Sequence, residues 1–172
     1  MGLKISFEVQ NFKAVRLIGK EIIVGKKNPV PELWNNMLNN GTNEFLQSMP
    51  ERVSPRGDTI GWMGDYNPKT KEFTYIAGIF TKPDTTVPNG FSHRDIPDCL
   101  IGIGWIKGNT SNLEKGAHTK TEKIMRENGY MPDYSIVGIS MEYYSFDNYA
   151  NIKEDGNNIF TFGYFLPCKK II

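Results

Sequence analysis

Glu142 is the only carboxylate in MEYYSFD (141–147) until its last residue, and this stretch directly follows the run SIVGIS (135–140). Such a run reads as a strand, and a strand interior is a poor place for a single negative charge. An unpaired buried carboxylate costs several kcal/mol or takes up a proton instead. Two chemistries would justify the residue. It could pair with a cation carried by a ligand, or act as a general base whose pKa is raised by an apolar cleft. Strand side chains alternate between faces. Ile136, Gly138, Ser140, Glu142 and Tyr144 therefore share one face, and Val137, Ile139, Met141 and Tyr143 share the other. An earlier strand gives the counterparts Gly61, Met63 and Asp65 on the first face, and Ile60, Trp62, Gly64 and Tyr66 on the second. The second face reads as core to be covered by a helix. The first is small, polar and aromatic. It fits the wall of a pocket or an open, solvated sheet, and the pattern leaves both readings standing. Trp34, Tyr75, Trp105 and Phe165 are the aromatic candidates for lining such a pocket, although large aromatics also serve as core.

Other reactive side chains carry less. Asp65 is the repeat counterpart of Glu142 but borders the turn NPKTK, which suits a solvated acid. His93 and His118 are far apart, in a loop and a helix, and no metal-ligand spacing surrounds them. No Ser-His-Asp or Cys-His arrangement is present. IGIGWIKG brings Gly102, Gly104 and Gly108 close together but lacks G-x-G-x-x-G and reads as strand. Cys99 and Cys168 read as reduced packing residues. No catalytic residue, metal site or cofactor is assigned from the sequence.

Composition narrows the class further. The 172 residues are 39% hydrophobic and 23% charged, with a formal net charge of +1. Lys and Arg are spread along the chain, and no helix-turn-helix pattern stands out, so direct nucleic-acid binding is not expected. No apolar run reaches membrane-spanning length, and MGLKISFEVQ has no signal-peptide core. A cytoplasmic protein is expected.

These residues need strands and a helix to position them. Residues 3–9 alternate as a half-buried strand, and AVRLIGKEIIVG (14–25) reads as a second. In PVPELWNNMLNNG, Pro31 suits a first helical turn and Gly41 a C-terminal cap, with Leu33, Trp34, Met37 and Leu38 on one side. Residues 43–49 suit another short helix. TIGWMGDY, NPKTK and EFTYIAGIF form a hairpin over 59–80. A Pro-, Asn- and Asp-rich loop follows at 81–95. The order then repeats: a strand over 96–108, a helix over 111–128, and a hairpin of 135–144 with 158–168. Ser111 and Glu114 make a capping box for that helix, and Gly129 should stop it. IGWMGDY overlays VGISMEY, and FTYIAGIF overlays FTFGYFLP. The chain thus reads as one α+β domain over 1–172. It is a tandem β-α-β-β duplication of 1–80 and 96–172, with a pseudo-twofold groove between two antiparallel half-sheets.

With these elements in place, the sequence resembles a known family. TKEFTYIAGIF, then PNGF, then Ile96-Pro97, looks like the middle of GyrI-like, or AraC-type effector-binding, domains. MEYY resembles their E-x-Y motif, FLPCK their closing strand, and PELW their first helix. The resemblance runs from about residue 5 to 170. It implies the tandem fold and a role in sensing small molecules for transcription regulation, with hydrophobic cationic compounds among the ligands. By motif match, Glu142 takes the place of the glutamate that pairs with the ligand's charge, and Tyr144 that of the tyrosine. The chain departs from the pattern in its long loop after Tyr144 and in having Gly163 where many members carry an acid. A stand-alone protein that binds a small lipophilic, cationic ligand is the first expectation. A hydrolase with Glu142 as general base, or a module that binds gyrase or another protein, are the alternatives.

Overall fold

A computed structural model describes residues 3–109, 113–136, 140–150 and 159–172, and the backbone alone at 149 and 150. The first half of the chain follows the sequence pattern closely. Strand β1 is Lys4–Phe12 and β2 is Val15–Val24. Helix α1, Val30–Asn39, carries a proline in its first turn, where the missing N–H costs nothing. Gly41, with φ of 82°, turns the chain into α2, Thr42–Ser48. Strands β3, Thr59–Asn67, and β4, Glu72–Thr81, form the expected hairpin.

Differences begin in the linker. Residues 92–95, expected as loop, form strand β5, Ser92–Ile96, on the edge of β2, together with Ile96, expected to open the next strand. Strand β6 is Cys99–Asn109. Helix α3, Ala117–Glu127, starts six residues later than the capping box implied. Its N-terminal boundary is Gly116 in the left-handed region, and Leu113 is buried ahead of it, so the entry turn is held by packing. Ser111 lies outside the described residues. Gly129 ends the helix as expected, with φ of 82°. Strands β7, Tyr130–Pro132, β8, Ser140–Tyr144, and β9, Ile159–Lys170, follow. One π-helical turn, Phe146–Ala150, follows β8. Val137, Gly138 and Ile139, which the sequence placed in the same strand as Glu142, lie outside the described residues.

The strands form one antiparallel sheet in the order β1-β6-β9-β8-β3-β4-β2-β5, with β7 paired to β9. The expected half-sheets are therefore continuous, joined where β3 pairs with β8. This is an α+β fold, mostly antiparallel sheet with few helices. The sheet curls strongly. β5 and β6 lie near its opposite ends yet are linked by only residues 97 and 98.

That curl corrects an expectation about the core. Trp62, Ile60 and Met141 sit on the face expected to be covered by a helix. They pack instead with Leu17, Ile96, Ile101 and Ile103, all from strands. The sheet closes on this face by itself. The three helices lie on the other face, α1 and α2 over the first half and α3 over the second. Met63, near the central β3–β8 pair, touches both helical clusters. The face that carries Glu142 is thus flanked by helices from both sides. It is the wall of a pocket and not an open, solvated sheet.

Candidate ligand-binding site

Glu142 lies on β8 directly opposite Gly61 of β3. Glu142 lines a cavity of about 690 Å³ beside α1. Trp34, Leu38, Met63, Phe73, Tyr75 and Phe146 supply most of its apolar wall. That volume suits a drug-sized molecule. Two acids, Glu142 and Glu114, line the cavity, and among the described residues no Lys, Arg or His does.

The carboxylate is held on one oxygen. Tyr75 and Tyr144 each donate a hydroxyl hydrogen bond of 2.9 Å to Glu142 Oε2. The Trp34 indole N–H donates to Tyr75 Oη at 3.0 Å, which leaves the Tyr75 proton pointing at the carboxylate. Oε1 has no hydrogen-bond partner among the described residues and is not sealed from the cavity. Glu142 is surrounded by protein except on that side, so it is only partly accessible. Burial raises its pKa to about 7, against the pull of the two tyrosine hydrogen bonds, and the nearby Glu114 adds to the rise. The same burial pushes Tyr75 and Tyr144 well above the usual phenol range, so both remain donors.

Gly61 creates the space for this arrangement. A Cβ there would overlap the Tyr75 hydroxyl and lie 2.9 Å from Glu142 Oε2. Gly61→Ala is expected to expel one of the two groups and to destabilise the fold by about 1–3 kcal/mol, the usual range for overpacking. Urea unfolding checks this; an unchanged midpoint would mean the floor is less crowded than its geometry indicates.

Of the six residues singled out in the sequence, Glu142, Tyr144, Tyr75 and Trp34 come together. The rings of Trp34 and Tyr144 meet edge to face at 5.9 Å. Trp105 and Phe165 do not join them. Phe165 pairs with Met141, one residue out of phase with Glu142, and is buried in the strand-only core with Trp105 against its edge. The residue of β9 opposite Glu142 is Tyr164, whose hydroxyl donates to Ser140 Oγ at 3.0 Å. Asp65 is exposed and bonds to Arg94, at 3.2 Å from the guanidinium Nε. His93 lies in β5 and His118 in α3, apart from the cavity.

Three contributors had no readable sequence signal. Glu114, read as a helix cap, stands at the cavity mouth. Phe146 closes one wall and packs on Gly57. Asp58 holds that wall: the residue is 4% exposed, and its carboxylate accepts the Tyr143 hydroxyl and the Phe146 N–H, the latter at 2.9 Å. Asp58→Ala would orphan both donors. A loss of about 2–4 kcal/mol is expected, with Asp58→Asn losing less because its carbonyl still accepts. Melting curves that place both variants at the native midpoint would contradict this.

Comparison with known proteins places the fold in a family. The GyrI-like small molecule binding domain matches residues 6–158, and the chain belongs to this family. No curated protein matches it closely enough to add a relative. Among solved structures, the chain is similar to SAV2435 bound to tetraphenylphosphonium. They share 11% identity over 95% of this chain and 94% of that one, with a TM-score of 0.65. A putative transcription regulation protein from Staphylococcus aureus gives 9% identity, 95% and 98% coverage, and a TM-score of 0.65. EcmrR in complex with DNA gives 14% identity and a TM-score of 0.64; 97% of this chain covers 58% of that one. At these identities the likeness concerns the fold. The chain spans less than two thirds of that EcmrR chain.

Proposed function

We propose that this chain binds lipophilic cations in the cavity floored by Glu142 and serves as the ligand-sensing unit of a regulator. The observation that carries this reading is the half-satisfied carboxylate. One oxygen is fixed by two tyrosines, while the other is presented to an aromatic cavity that no basic residue lines among those described. A ligand cation would pair with Oε1 and lie against the faces of Trp34 and Tyr144. The tetraphenylphosphonium bound to SAV2435 is a ligand of this chemistry in a protein of the same fold. We place the protein in the cytoplasm; no helix among the described residues is long and apolar enough to cross a membrane.

Fluorescence titration tests the proposal, because Trp34 alone of the three tryptophans lines the cavity. Tetraphenylphosphonium should quench it with micromolar affinity, and a neutral tetraaryl analogue should not. Glu142→Gln should weaken binding about 30-fold or more, as loss of a desolvated charge partner does. Equal binding by the native chain and the variant would refute the proposal. A second reading, hydrolysis with Glu142 as general base, is favoured by the same raised pKa of about 7. Chromatography of the incubated compound separates the two readings: altered compound supports turnover, and intact compound supports binding alone.

The duplication belongs to this proposal too. We read residues 1–80 and 96–172 as two copies forming one domain. The mirrored order β6-β9-β8 against β3-β4-β2 supports this. So does the pairing of Met63 with Ser140, which the first sequence overlay equates and a twofold axis would place opposite one another. The FTYIAGIF overlay puts the axis two pairs away, at Gly61 and Glu142, so the residue-level correspondence is not unique.

A further inference from the structure

The two oxygens of Glu142 are not equivalent. The hydroxyls of Tyr75 and Tyr144 both donate to Oε2, at 2.9 Å each. The Trp34 N–H on Tyr75 Oη fixes the direction of the first of these bonds. A carbonyl oxygen has two lone pairs, and on Oε2 both are in use. A proton added to this carboxylate therefore goes to Oε1. That oxygen has no hydrogen-bond partner among the described residues and is not sealed from the cavity. Protonation thus inverts what the cavity meets. The ionised acid presents an acceptor, and the neutral acid presents an O–H donor in the same place. A donor enclosed by protein is costly until it finds an acceptor. The side chains of Leu38, Met63, Phe73 and Phe146 that wall the cavity offer none.

We propose that the protonated pocket takes a second class of ligand: an uncharged lipophilic molecule whose phosphoryl or carbonyl oxygen accepts the Oε1 proton in a hydrogen bond. The proton on Glu142 then selects between two ligand classes at one anchor. Burial raises the Glu142 pKa to about 7, so both forms are populated near neutral pH. Among the described residues, the titratable groups that face Glu142 are Tyr75 of β4, Tyr144 of β8, Tyr164 of β9 and Glu114 ahead of α3. Burial pushes the three phenols up, so each keeps its proton there. His118 meets Tyr164, not Glu142. The proposal rests on Glu142 as the polar anchor of the cavity, as the cation-binding reading does, but it needs no cation.

Two probes of nearly one shape test it on the full chain. Methyltriphenylphosphonium is a permanent cation, and triphenylphosphine oxide is an uncharged acceptor; neither titrates near neutral pH. The oxide should bind the native chain about tenfold more tightly at about pH 6 than at about pH 8, following the neutral fraction of Glu142. The phosphonium should show the reverse. Glu142→Gln copies the neutral acid: its carbonyl can accept both tyrosines, and its NH2 stands in for the Oε1 donor. This variant should bind the oxide at both pH values about as tightly as the native chain does at about pH 6. An oxide affinity that is flat in the native chain, that keeps its slope in Glu142→Gln, or that is lost in that variant would overturn the proposal. Phosphonium binding with the expected slope would then leave the cation-binding reading standing. An oxide that follows its predicted slope beside a phosphonium that does not bind would support the proposal and refute the cation-binding reading. If neither probe binds, both fail.

Discussion

Glu142→Gln is expected to make the fold more stable at about pH 8, by roughly 3 kcal/mol, while changing it little near pH 4.5. The reason is the cost of ionising an acid on the cavity floor. Its pKa rises from the ordinary glutamate value of 4.5 to about 7 in the fold. Between those values the folded chain holds a proton that the unfolded chain has lost. Stability contributed by this group therefore falls as pH rises through that window. It is fully lost above about 7, and each pH unit between the two values is worth about 1.4 kcal/mol. Glutamine removes the charge, and its carbonyl can still accept both tyrosine hydroxyls. Urea unfolding at three pH values, native against Glu142→Gln, reads this out. A difference that does not grow with pH would mean Glu142 is an ordinary solvated acid. A difference that does grow would show the fold retaining a destabilising residue because the cavity has a use for it.

Ligand affinity should carry the opposite slope. A monocation pairs only with ionised Glu142, whose pKa in the free chain is about 7. Below that value its apparent Kd should rise about tenfold for each pH unit, until binding to the neutral pocket takes over. Above it the affinity should level off. Tetraphenylphosphonium is a suitable probe because its own charge does not titrate. The Glu142→Gln profile should be flat and weak throughout. A native profile that is equally flat would place the cation away from Glu142, whatever its affinity.

Much of this site was legible because strand alternation is a strict rule. It put Glu142 and Tyr144 on one face, whereas Trp34 was legible only as an aromatic candidate, because a covering helix was expected on the other face. What failed was register. Nothing in the sequence ties the phase of FTFGYFLPCK to that of MEYY, because the connection between them is long. Pairing Glu142 with Tyr164 leaves Phe165, and Trp105 with it, on the far face. The curl of the sheet was equally hidden. A strand face rich in Trp62, Ile60 and Met141 looks the same whether a helix or the sheet itself covers it. Glu114 was misread because S-x-x-E is a local motif, and α3 begins only after it. Asp58 acts through a hydroxyl and an N–H more than eighty residues away, and no local pattern encodes such contacts.

The most direct test of the central claim is the titration of Glu142 itself. Carbon-13 NMR of the glutamate side-chain carboxyl carbons, assigned with Glu142→Gln, would follow it in the free chain and with saturating tetraphenylphosphonium. The free protein should show one glutamate titrating near 7. Binding should pull that midpoint down toward the ordinary carboxylate range, because a paired cation favours the ionised form. A glutamate that titrates normally in the free chain, or near 7 both with and without the cation, would contradict the account.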